Sequence, residues 1–159
     1  MIAVLTQISP PNCLSAAVDL AIGDLRKTMA MPDVYAVHMG HWHTPPDSNF
    51  TDVLPSTPCN VCFAGAVMAQ TLKLPVRDYV SGPEDFDGPW GQIFGALNAV
   101  RTGDLIGAYA TWPEGWLAAE EHVEQLDDAL ARVLPFSVDP KLFLTRMGEI
   151  SAQLKEIGT

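Results

Sequence analysis

Leu14, Val18, Ala21, Leu25 and Met29 recur every three or four residues, the spacing that lines one side of an α-helix. Asp19, Asp24, Arg26 and Lys27 fall off that stripe and Pro32 ends it, so the pattern predicts a first helix over residues 13–30. The period then changes. Tyr35, Val37, Met39 and His41 alternate with Ala36, His38, Gly40 and Trp42, the two-residue repeat of a short strand over 34–42. Continued to residue 43, such a strand would project His41 and His43 from the same face. Pro45, Pro46, Pro55 and Pro58, set among Asp, Ser, Asn and Thr, make residues 44–58 a loop.

A second helix is expected over 59–74, with Thr57 as its cap, Pro58 in its first turn and Pro75 at its end. Residues 64–69 are apolar on all sides, as suits a central helix, and Gly65 points to a neighbour packed too closely for a side chain. Residues 76–89 are irregular. Asp87 and Pro89 precede a helix over 90–101 that bears Ile93, Leu97 and Val100 and stops at Gly103; a short helix over 104–109 follows. Pro113 opens a longer one through 133, with Leu117, Leu126, Leu130 and Val133 inward and Glu120, Glu121, Glu124, Asp127 and Asp128 outward. Asp139 and Pro140 start the last helix, Phe143, Met147, Ile150, Leu154 and Ile157 line it, and Gly158 closes it. With no repeat or linker, the expected fold is mainly α: a single compact helical domain over 1–159, of about five helices, with a short β element near 34–42.

A chain of 159 residues, 48% of them hydrophobic, can bury a core of its own and is not expected to be disordered. Its net charge of -10 argues against direct binding to nucleic acid or to an anionic membrane and suits a solvated surface or a partner with a basic groove. The carboxylates of 113–133 would imitate a row of phosphates in such a groove, although a solvated helix face explains them as well. No stretch reaches the roughly 20 apolar residues that span a bilayer. Residues 1–8 are apolar but lack the basic start of a signal peptide. Three cysteines without an export signal point to a reducing cytoplasm and to free or metal-bound thiols.

Candidate chemistry lies between residues 41 and 62. His41, His43, Cys59 and Cys62 offer the imidazole and thiolate donors that zinc prefers, as a His-x-His pair followed by a Cys-x-x-Cys pair. Against this, cysteine is among the most buried residue types, and on that alternative both thiols would be small buried groups at a helix start and the histidines loop or core hydrogen-bonders. Pro58-Cys59-Asn60-Val61-Cys62 locally resembles the Pro-Cys-x-x-Cys helix start of zinc-dependent nucleobase deaminases. Those enzymes need a glutamate upstream of the cysteines, and the first glutamate here is Glu84. A redox reading needs a thiol activated at a helix N-terminus directly after a strand, and the proline-rich loop stands in that place. Cys13 with His38 or His43 lacks an orienting group, Gly88-Pro89-Trp90-Gly91 reads as a turn, and Trp42, Trp90, Trp112 and Trp116 read as core anchors.

Met39-Gly40-His41-Trp42-His43-Thr44-Pro45, Cys59-Asn60-Val61-Cys62-Phe63-Ala64-Gly65-Ala66-Val67-Met68-Ala69 and Ala96-Leu97-Asn98-Ala99-Val100-Arg101-Thr102-Gly103 together resemble an uncharacterised family of small proteins of tailed bacteriophages and prophages. The resemblance spans residues 34–103. It implies expression in a bacterial cytoplasm during infection and brings no catalytic residue with it. The expectation is therefore a small acidic protein that binds another protein, with host machinery as the implied partner. The alternative is a zinc-binding domain or small metal-dependent enzyme built on His41, His43, Cys59 and Cys62.

Overall fold

The computed structural model describes residues 8–44, 58–76, 78–112 and 136–159. Five α-helices lie among them: α1 (Leu14–Met29), α2 (Phe63–Gln70), α3 (Pro89–Arg101), α4 (Leu105–Thr111) and α5 (Pro140–Glu156). Three short strands, β1 (Tyr35–Val37), β2 (His43–Thr44) and β3 (Cys59–Val61), form one sheet in the order β1-β3-β2. The mainly α expectation holds. The expected helix over 113–133, the loop prolines at 45, 46 and 55, the Thr57 cap and Trp116 lie outside the described residues.

The long helices follow their apolar stripes. Leu14, Val18, Ala21 and Leu25 of α1 are fully buried, as are Met147, Ile150 and Leu154 of α5. Phe143 of α5 meets Phe63 of α2 edge to face at 5.8 Å, the favoured geometry for two aromatic quadrupoles. α1 packs against α2, α3 and α5, and α3 folds back onto α4. The expected Asp139 cap is in place, accepting from the Leu142 amide at 3.0 Å, and Asp104, expected as the first residue of its helix, instead caps α4 by accepting from the Gly107 amide at 2.7 Å. Gly103 and Gly158, the expected stops, have φ of 81° and 86°, a left-handed turn that glycine adopts without a Cβ clash. Asp87 does not cap α3; Gly88 occupies that position.

Two side chains of α1 depart from the stripe. Met29 is exposed. Asp24, expected on the solvent side, is 1% exposed and lies with Ala17, Ala21 and Thr28 on a second buried row. Its carboxylate accepts from the Thr71 hydroxyl and pairs with Lys27 at 3.3 Å, which ties the end of α1 to the end of α2. A buried carboxylate needs such partners to offset its lost hydration.

The largest corrections concern residues 34–74. The expected strand over 34–42 is two strands separated by a turn: β1 ends at Val37, and the His41 amide closes the turn on the His38 carbonyl at 3.0 Å. The expected helix over 59–74 begins as β3, which pairs in parallel with β1 (Tyr35↔Cys59, Val37↔Val61) and antiparallel with β2 (His43↔Val61, Thr44↔Asn60). Only after Cys62 does the chain turn helical. A run of three residues, Cys59-Asn60-Val61, is too short to show a period of its own, so pairing partners from distant sequence decide its state. α2 is apolar all round because it faces two ways. Most of it joins the helical core, whereas Ala69 joins a separate cluster with Tyr35, Cys59 and Val61.

Gly65 meets the need that the sequence suggested. A Cβ there would collide with the carbonyl oxygen of Trp42, the same oxygen that accepts the Cys62 amide at 3.3 Å. The sheet and α2 are therefore joined backbone to backbone.

Candidate functional site

Antiparallel pairing sets β2 beside β3 and brings two of the four candidate ligands together. Cys59 Sγ lies 3.9 Å from His43 Nδ1. Neither side chain is open to solvent, each being 0% exposed. His43 Nδ1 is 2.8 Å from the Asp78 carbonyl oxygen, and since a carbonyl only accepts, that nitrogen carries the ring proton. The next residues add a bridge, with the Val80 amide donating to the His43 carbonyl at 2.8 Å. Residues 78–80 are thereby strapped along the outer edge of β2. Nε2 of the same ring is buried and has no hydrogen-bond partner among the described residues.

The Cys59 thiol donates to the Thr44 carbonyl at 3.0 Å. Burial pushes this thiol up to about 11. The phenol of Tyr35 is raised as well, first by burial and then by its nearness to Cys59. His43 moves the other way: burial lowers it, against smaller raising effects from the Asp78 carbonyl and carboxylate. At neutral pH the pair is therefore an uncharged imidazole and an uncharged thiol. A thiolate is the form that attacks electrophiles and binds metals, and this site stabilises the other form.

The remaining two candidates lie elsewhere. Cys62 does not face Cys59. Its sulfur accepts from the Gly65 amide at 3.4 Å as the cap of α2, and it sits in the helical core while Cys59 sits in the sheet cluster. Burial raises this thiol too, opposed first by the Gly65 hydrogen bond and then by Arg101. His41 is exposed on the β1–β2 turn, where its ring meets His38 rather than His43, with centroids 4.4 Å apart. The expected common face of His41 and His43 does not exist because no single strand carries both. Among the described residues no group of three or more His, Cys, Asp and Glu side chains is placed to hold a metal ion.

Cys13, at the N-terminal boundary of α1, is half-buried with its sulfur 3.4 Å from the Ser15 hydroxyl. Trp90 is a core residue, and Trp42 and Trp112 pack partly buried against the core, as expected of anchors. The groups that define the His43–Cys59 site are mostly backbone carbonyls, at Thr44 and Asp78, and side-chain patterning carries no signal for those. His38 was legible only as one of several histidines; its i, i+3 spacing to His41 became informative once the turn was visible.

No helix among the described residues is long and apolar enough to cross a membrane. Compared with protein-family models, with curated proteins and with solved structures, the chain matches none.

Proposed function

We propose that this chain acts by binding a protein with a basic surface and not by catalysis at its His/Cys motif. One observation supports this most: His43 and Cys59 are 0% exposed and Cys62 is 1% exposed, so three of the four candidate groups, both thiols among them, are closed to any substrate, and His41 alone of the four is at the surface. Each of the buried three is already engaged by backbone. The net charge of -10 supplies the other half of the reading, since it favours a cationic partner through long-range attraction. The phage-type resemblance would make that partner a component of a bacterial host, met in its cytoplasm. Affinity capture from bacterial lysate tests this. A basic protein retained at about 0.05 M salt and released near 0.5 M is expected, because screening shortens the reach of surface charge. Recovery of no partner, or of one whose retention ignores salt, contradicts it.

A second reading is a zinc ion held at His43 and Cys59, whose Nδ1 and Sγ lie 3.9 Å apart; it requires His43 Nδ1 to give up its proton and its bond to the Asp78 carbonyl. Two ligands of one tetrahedral zinc stand about 3.5 Å apart. Zinc near one equivalent in the purified chain, lost in Cys59→Ser, supports it; metal-free protein of native stability removes it.

A further inference from the structure

The β1–β2 turn places His38 and His41 side by side at the surface, away from the buried His43–Cys59 pair. Both ends of this turn are fixed. The His38 amide donates to the Val61 carbonyl at 2.8 Å, and the Trp42 carbonyl accepts from the Cys62 amide at 3.3 Å. Within the turn, the Gly40 amide donates to His38 Nδ1 at 3.1 Å. Gly40 also leaves space for that ring: a Cβ there would stand 3.2 Å from Cε1 and 3.3 Å from Nδ1 of His38. The His38 ring is thus seated on a bare backbone, with the edge-to-face contact to His41 completing its surroundings.

Ring spacing indicates what such a pair fits. Two imidazoles bound side by side to one ion, each at about 2.1 Å, have centroids about 4.6 Å apart at a right-angle N–metal–N and about 5.3 Å apart at a tetrahedral one. The observed separation of 4.4 Å lies just inside the right-angle value, so the rings part slightly as the ion enters. We propose that His38 and His41 form an exposed two-histidine site for a divalent transition-metal ion of borderline softness, such as Ni2+, Cu2+ or Zn2+. Imidazole is a preferred donor for these ions, and water fills the remaining positions. Binding through Nε2 of His38 moves the ring proton to Nδ1 and releases the Gly40 amide, which is exposed and passes to water. This site is independent of the protein-binding reading and uses neither ligand of the His43–Cys59 pair.

Calorimetric titration of the full chain with Ni2+ at neutral pH tests the proposal. One equivalent should bind. Losing a ligand should weaken it at least as much as losing a ligand's hydrogen-bond partner does, ~10-fold or more in His38→Gln and in His41→Gln. His122→Gln and Cys59→Ser should bind as the parent does. Absence of binding heat overturns the proposal, as does unchanged affinity in either turn variant. Loss in Cys59→Ser with retention in His41→Gln would assign the ion to the buried pair and overturn it equally.

Discussion

α5 and the ribbon formed by residues 35–44 and 58–62 treat their polar groups in opposite ways. On α5 the charges stay at the rim: Asp139 caps the first turn, Arg146 pairs with Glu149 at 2.7 Å, and Lys155 reaches Asp19 at 2.6 Å. Its buried side is almost wholly apolar. The ribbon instead draws His43, Thr44 and Cys59 inside and engages His43 Nδ1 and the Cys59 thiol with carbonyls from Asp78 and Thr44. A helix meets its backbone hydrogen bonds internally and needs only an apolar face. A sheet of two- and three-residue strands has few ladder bonds, so side chain-to-backbone bonds and close backbone packing take a larger share. Surface changes on α5 should therefore be mild, and small changes in the ribbon severe.

The sharpest break of that contrast is Gly65→Ala. One added methyl group meets the Trp42 carbonyl, which is itself held by the Cys62 amide and cannot retreat freely. Although alanine favours helices, we expect a loss of about 3 kcal/mol in denaturant unfolding, at the upper end for overpacked sites. A neutral or stabilised variant would show that α2 and the sheet are loosely joined.

Acid should act on the ribbon next. His43 is held neutral when folded, its affinity for protons lowered chiefly by burial. The unfolded chain takes up a proton near pH 6.5, so His43 contributes no penalty above that value. As pH falls below it the unfolded state binds a proton that the folded state resists, and stability declines by up to about 1.4 kcal/mol per pH unit until the lowered folded value is passed. His43→Gln should remove this leg of the pH profile. The alkaline side has the reverse sign. Cys59 is raised to about 11 in the fold, so its contribution is full below the unfolded value of about 8.5 and is lost as pH rises between the two. Cys59→Ser should flatten that leg.

On the helical side, Asp139→Ala removes the cap bond to the Leu142 amide. About 1 kcal/mol of stability should go with it, read from the unfolding midpoint. This is the smallest effect expected, although it deletes a whole capping group where Gly65→Ala adds one carbon.

The same contrast explains what could be read from the chain beforehand. The stripes of α1 and α5, the Asp139 cap and the Gly103 and Gly158 stops are local signals, each contained within a few residues. β3 is not local. Cys59, Asn60 and Val61 become a strand because β1 and β2 flank them, and Thr57-Pro58 had suggested a helix start instead. Shifting the helix start from residue 59 to residue 63 separates the two thiols, since Cys59 now faces the sheet cluster and Cys62 caps α2. Asp24 departs from the solvent side of its helix for a related reason: its carboxylate is held inside by Thr71, far along the chain. Of the four candidate ligands, the sequence alone could not tell that only His43 and Cys59 would meet.

Thiol titration of the native protein with a chromogenic disulfide reagent at neutral pH tests the closed-motif account most directly. Cys13, half-buried, should react promptly, while Cys59 and Cys62, buried as protonated thiols, should react only when denaturant unfolds the chain. Prompt reaction of either Cys59 or Cys62 in the folded protein would contradict the account.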